Sequence, residues 1–393
     1  MAARPRRSRT ARSVRRPSRR PSPRRAEDEA ARAVVALLSP RTQDPDPVVR
    51  RAAATVLGSV PGRAALRALT PLLHDPSDRV RRQAVLGIGW KADRTRLATV
   101  RRFLRDPAPR VRAAAAVIAG RHRDRASVPG LLACLDGPGT WERPSILVAL
   151  GRIGAPEAVP VLVREAEHEA RWVRVCAIHA LGEMKADEAR AVARAHLIDT
   201  AWSVRGAAAI ALASVGNRSD LPRLLRLLDD PHAWPRRGAT YALGRLRLVA
   251  SAARIRAELS DQSPDVRLAA IWALGELGDE AAREPLARLL SDASPARDPA
   301  ETVAPVDGDA QLGTDAEGRL FGAAVQALQR LAHGAPDAIV DSALRAARGR
   351  LTEAELDRPA LLPLFKPQDE RIPTTVRDLF EGTDPGVLRR KVG

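Results

Sequence analysis

The side chains best suited to covalent or metal chemistry are thinly spread in this sequence. Seven histidines (His74, His122, His168, His179, His196, His232 and His333) and two cysteines (Cys134 and Cys176) occur in 393 residues. None stands at a spacing that gathers three or four ligands around a metal, and C-x-x-C is absent. G-x-G-x-x-G, the P-loop and G-x-S-x-G are missing as well. No catalytic residue, metal or cofactor is therefore expected, and an enzyme is the less favoured reading. What remains is recognition chemistry. Five of the six tryptophans and the single tyrosine fall between residues 141 and 272, and arginine outnumbers lysine 61 to 4. Flat aromatic rings and guanidinium groups are the side chains that anchor peptides and polyanions.

The arginines also reveal the elements that must position them. Eight stand 31 residues apart: Arg50, Arg81, Arg112, Arg143, Arg174, Arg205, Arg236 and Arg267. Eight residues beyond each comes a glycine (Gly58, Gly89, Gly120, Gly151, Gly182, Gly244, Gly275), with Ala213 the one substitute. A fixed period of this size signals a stacked repeat. In the copy from Asp75 to Leu104, Val80, Ala84 and Ile88, then Leu97, Val100 and Leu104, recur at three- and four-residue spacing. Each copy is therefore read as two amphipathic helices of about 12 residues. Asp75-Pro76 reads as the start of the first helix, its carboxylate capping free N–H groups. Gly137 and His168 replace that aspartate in copies four and five. A ninth, broken copy over residues 320–332 puts Leu328 on the phase of Leu274 after an insertion of 23 residues.

The pattern D-P-x-x-x-V-R-x-x-A-x-x-A-L-G, carried over about residues 44–291, resembles the HEAT repeat of the short, phycobilisome-lyase-like type. The resemblance implies an all-α, right-handed α-solenoid of eight to nine helix pairs. It also implies that the Val-Arg helix lines a concave face and that the Asp and Arg columns form a polar ladder, making Arg50 to Arg267 structural. Two enzymatic relatives fit poorly. The deoxyhypusine-hydroxylase-like proteins need repeated His-Glu pairs, and only His168-Glu169 is present. The HEAT-like alkylation-repair glycosylases need an aspartate beside tryptophans in a basic groove, and only Asp265 shares the tryptophan column. A bilin (tetrapyrrole) lyase-like function is implied by repeat sequence alone, with no motif to place.

Given that inner helix, phase assigns its faces. Positions −1, +3, +7 and +10 from each arginine are expected to pack inward, and −2, +1, +5 and +9 to face the groove. The −2 column reads Val48, Arg79, Arg110, Trp141, Trp172, Ser203, Trp234, Asp265, and the +5 column ends His179, Ile210, Tyr241, Trp272. The groove is thus expected to be basic early, through Arg79, Arg82, Arg110 and Arg121, and aromatic later. Trp141, Trp172, His179, Trp234, Tyr241 and Trp272 are the candidate partner-binding residues. The competing reading of a tryptophan at −2 is a local plug in the inter-repeat turn. A protein or peptide partner suits the strip best; stacked nucleic-acid bases or a planar molecule such as a bilin would also fit.

Charge is uneven along the chain. Of the net +18, residues 1–25 contribute eleven arginines and no acid, residues 44–136 add +10, and residues 292–393 carry −4. The Arg/Pro/Ser-rich tail, residues 1–28, is expected to be disordered. Its Arg6, Arg7, Arg15, Arg16, Arg19 and Arg20, with the early groove arginines, make a nucleic-acid-associated protein the alternative function. The remaining boundaries are a solenoid over 29–291, an acidic Pro/Gly-rich insertion over 292–318, a degenerate ninth repeat over 319–351 and an irregular tail over 352–393. No run of 18 apolar residues exists, so no transmembrane segment is expected. Two isolated cysteines suit a reducing compartment. The expectation is a cytoplasmic, monomeric binding scaffold.

Overall fold

Small side chains at fixed phase set how closely successive helices approach, and that spacing builds the fold. The computed structural model describes residues 23–137, 142–292, 320 and 323–331, with side chains from residue 29 except Arg94 and residues 290–292. All regular structure among the described residues is helical. The chain divides into two compact units, residues 1–88 and 89–393.

The first unit contains α1 (Pro23–Leu38), α2 (Pro47–Ser59), α3 (Arg63–Leu69) and all but the last residue of α4 (Asp78–Gly89). Ala53, Ala54, Leu57, Ala65, Leu69, Val80, Ala84 and Val85 form its core. Gly58 and Gly87 let α2 and α4 touch backbone to backbone: a Cβ added to Gly58 would lie 3.1 Å from the Cα of Gly87. α1 begins at Pro23, six residues inside the expected disordered tail, because proline at the first helical position has its φ preset and no N–H to satisfy. It is loosely held. No residue from 29 to 52 is buried, and Leu37 is 74% exposed.

In the second unit, first helices α6 (Pro109–Arg121), α8 (Arg143–Ile153), α10 (Arg171–Met184), α12 (Trp202–Val215), α14 (Ala233–Arg245) and α16 (Pro264–Leu277) pack side by side in order. The second helices are α5 (Arg94–Arg101), α7 (Val128–Leu135), α9 (Val159–Glu165), α11 (Ala189–His196), α13 (Leu221–Leu227), α15 (Ala252–Ala257) and α17 (Arg283–Asp292). The repeat glycine is the contact point. A Cβ on Gly120, Gly151, Gly182 or Gly244 would come within 2.6–3.1 Å of Ala149, Ala180, Ala211 or Ala273, each 29 residues on. Gly275 instead meets Ala327, at 3.2 Å and 52 residues on. The excess is the 23 inserted residues, so helical segment 323–331 packs on α16 as the next first helix would.

Three expectations need correction. The second helices are shorter than 12 residues; several begin as a three-residue 3-10 turn, such as Arg125–Ser127 or Pro156–Ala158, that runs straight into the α-helix. Asp75-Pro76 does not start α4, which begins at Asp78; the carboxylate accepts from Ser77 N–H in the turn before it. The +1 column does not face outward beyond the first repeats, since Ala113, Pro144, Val175, Gly206, Arg237 and Leu268 are all buried. This position stands seven residues, about two turns, before the glycine column on the same helix face, so the close approach of the neighbouring helix covers it too.

Candidate functional site

The arginine column runs along the start of the first helices. In the first unit, Arg50 Nε and Nη2 donate to both oxygens of Asp75, at 2.7 and 2.9 Å, and Nη1 donates to the carbonyls of Asp44 and Pro45. In the second unit the same fork joins Arg174 to Asp199, Arg205 to Asp230 and Arg236 to Asp261. Each aspartate is also the turn cap: Asp199, Asp230 and Asp261 accept from the N–H two residues on. One carboxylate therefore ties two repeats and ends a turn. Paired guanidinium and N–H donors outweigh the burial that raises these acids, so Asp75, Asp199, Asp230 and Asp261 sit below the usual carboxylate range.

Where the aspartate is missing, carboxylates off the repeat phase take over. Glu142 accepts from Arg112, and Glu165 accepts from Arg143 at 2.8 Å. Both glutamates are buried. At the replaced position His168 keeps the turn cap, its Nδ1 accepting from Ala170 N–H at 3.0 Å. A second set of ion pairs, not foreseen from sequence, binds the second helices to the turns beside them: Arg101–Asp124, Arg194–Asp220 and Arg256–Asp279.

Tyr241 on α14 and Trp272 on α16 stack, with ring centroids 4.9 Å apart and planes 25° from parallel. Trp234 lies over the preceding first helix: a Cβ on Gly206 would fall 1.8 Å from its Cδ1. The buried Arg237 guanidinium stands 5.2 Å from its ring. Trp172 carries Arg171 over its face at 5.4 Å. His179 is half-buried, 4.0 Å from Glu183, and burial with the nearby Arg152 holds it down at about 4, so its ring is neutral at pH 7. Trp202, not singled out from sequence, stacks on His232 at 5.9 Å across a repeat junction. Its −3 phase left it outside the assigned groove columns.

The basic candidates fall in both units. Arg79 is exposed and Arg82 half-buried in the first; Arg110 and Arg121 are exposed in the second. Arg121 lies 4.4 Å over the ring of Trp90, a residue that sequence phase placed on the groove without naming it. Beside Trp90, burial lowers Lys91 to about 8. Cys176 is buried, and burial pushes its thiol well up, which keeps it in the thiol form. Trp141, Arg6, Arg7, Arg15, Arg16, Arg19 and Arg20, the insertion and the C-terminal tail lie outside the described residues. No helix among the described residues is long and apolar enough to cross a membrane, and no metal-ligating cluster occurs among them.

A family model described as HEAT repeats matches residues 24–86, 66–146, 141–213, 193–257 and 252–298. No curated protein matches the sequence. Among solved structures, the chain is similar to the complex of CpcE and CpcF of phycocyanin lyase from Nostoc sp. PCC7120, at 23% identity over 68% of this chain and 92% of that one, TM-score 0.39. It is similar to YibA of Escherichia coli at 18% identity over 73% and 99%, TM-score 0.42. It is similar to Kap95p from its structure with RanGDP at 14% identity over 82% and 48%, TM-score 0.46. With matches laid nearly end to end over residues 24–298, on the same helix pairs that the arginine column spaces, the chain belongs to the HEAT-repeat family.

Proposed function

We propose that the protein is a non-catalytic scaffold that binds a protein or peptide partner on the first-helix face of α10 to α16, with the arginine column serving as architecture. The observation that supports this is the Tyr241–Trp272 stack. Two half-buried aromatic rings on successive first helices occupy a column that is Thr55, Leu86, Val117 and Val148 in earlier repeats. The glycine–alanine contact sets the spacing of α14 on α16, and the Trp272 ring reaches the same point, its Cζ3 3.1 Å from a Cβ placed on Gly244. Large aromatic groups with polar tips are the usual anchors of protein interfaces. The test is affinity capture from the native cell, with nuclease, using the full chain and Tyr241→Ala/Trp272→Ala. A partner retained by the parent and lost by the double variant supports the reading. Retention of the same partner by the double variant overturns it.

One observation favours a second reading for another region. Arg121 over Trp90, with Lys91 alongside, places cations and a π-face together where residues 89–136 carry eleven basic and four acidic side chains. That combination suits single-stranded nucleic acid. It requires affinity for random single strands that falls steeply with salt and weakens in Arg121→Gln.

A further inference from the structure

Three residues before the ladder carboxylate, the sequence places a column that reads Leu72, Phe103, Cys134, Glu165, His196, Leu227 and Glu258. Glu165 replaces the missing ladder aspartate and takes Arg143 as its cation. Glu258 has no such vacancy to fill. Asp261 is present, and both its oxygens are held by Arg236 at 2.7 and 2.8 Å. The other cation facing Glu258, Arg254 on α15, donates to Asp229 at 2.6 Å. Glu258 is 7% exposed and stands one 3-10 turn before Asp261, whose N–H donates to the Glu258 carbonyl at 3.1 Å, an arrangement that brings side chains three residues apart side by side. Beyond Arg236 the next charge is Asp230, which is itself held by Arg205 and lies 3.5 Å from His232.

We propose that the α14–α16 junction is a pH-sensitive joint, closed while Glu258 carries a proton that it donates to Asp261 and loosened when that proton passes to solvent. In the closed state one guanidinium faces one carboxylate. In the open state two adjacent carboxylates, shielded from water, compete for Arg236. Burial first, then the charge of Asp261, push Glu258 up to about 7, so the change falls near neutrality. The joint acts on the proposed binding face, because α14 and α16 are the helices that carry Tyr241 and Trp272. Separation at Arg236–Asp261 disturbs the stack that lies between the same two helices. The functional consequence rests on the binding reading above; the joint itself does not.

The experiment uses the full chain without partner and follows near-ultraviolet circular dichroism and tryptophan fluorescence between about pH 5.5 and 8.5. The parent should show a transition centred near pH 7. Glu258→Gln should lose it and keep the low-pH spectrum at high pH. Glu258→Leu should do the same, and it borrows the residue found at this phase in Leu72 and Leu227. Trp272→Phe should remove most of the amplitude, tying the signal to the stack. A flat parent profile overturns the joint, as does a transition that persists in both Glu258 variants or that vanishes in His196→Gln instead. A transition that survives while Tyr241→Ala/Trp272→Ala leaves partner capture intact rejects the binding reading and retains the joint. Partner loss in that double variant with a flat parent profile does the reverse.

Discussion

Two columns of the first helices in the second unit obey opposite rules. The arginine column holds one residue type in every repeat, and from Arg112 to Arg236 each guanidinium meets a carboxylate even where the repeat aspartate is missing. The +5 column changes from Val148 to His179, Ile210, Tyr241 and Trp272 over five consecutive repeats. A constant column cannot select among partners, whereas a changing one distinguishes one stretch of the stack from the next. If that contrast is correct, damage to the first column should cost stability wherever it is made. Damage to the second should cost binding at one place and little stability.

The largest effect is expected from Arg205→Ala. Its side chain is 14% exposed and its partner Asp230 6%, so the change leaves a buried carboxylate without its cation. The expected loss is about 3 kcal/mol in chemical denaturation, with hydrogen exchange faster at the α12–α14 junction. An effect no larger than that of a surface substitution would break the contrast from the structural side.

Gly206→Ala comes next. The added Cβ would sit 1.8 Å from Trp234, so the ring must leave. Overpacking of this kind costs about 1–3 kcal/mol, and tryptophan emission should shift to the red. Adding Trp234→Ala should recover most of the loss, because the clash then disappears. If stability recovers and partner capture is unchanged, Trp234 is a brace rather than an anchor.

The ladder acids and Glu258 predict opposite slopes of stability with pH. Asp199, Asp230 and Asp261 are depressed, so their contribution is present above the ordinary carboxylate value and lost as pH falls through their lowered values. Glu258 is raised, so its contribution is present at low pH and lost as pH rises through about 7. Thermal melts should therefore give a maximum in mildly acidic buffer. Glu258→Gln should flatten the alkaline side by an amount on the order of 1–2 kcal/mol.

Much of this was legible in the spacing of residues, and what was not has a physical cause. A 31-residue period gives the stack, and the arginine-to-aspartate interval of 25 gives the ladder pairs. Glu142 and Glu165 were not legible because they stand off that interval: Glu142 occupies the −1 phase that is Val80, Val111 and Val173 elsewhere. Tyr241 and Trp272 share a column on adjacent helices, so their meeting follows from phase. The seat of Trp234 on Gly206 does not, since it joins −2 of one repeat to +1 of the one before. That contact depends on how closely two helices cross at their small residues, a quantity set by packing and not by periodicity.

The smallest structural effect should come from the residues with most bearing on function. Trp272→Phe keeps an aromatic ring beside Tyr241 but shortens the face, and stacked pairs contribute only about 0.5–1.5 kcal/mol beyond area burial. Stability should fall by less than in Gly206→Ala, while a partner anchored at the stack should dissociate at least about tenfold faster, as expected for an interface hot spot. Arg205→Ala should show the reverse ratio, a large stability loss with the remaining folded fraction binding normally. The pair of variants thus measures the contrast between the columns directly. Equal ratios in both would mean that the aromatic column is architecture too, and that the partner is held elsewhere on the molecule.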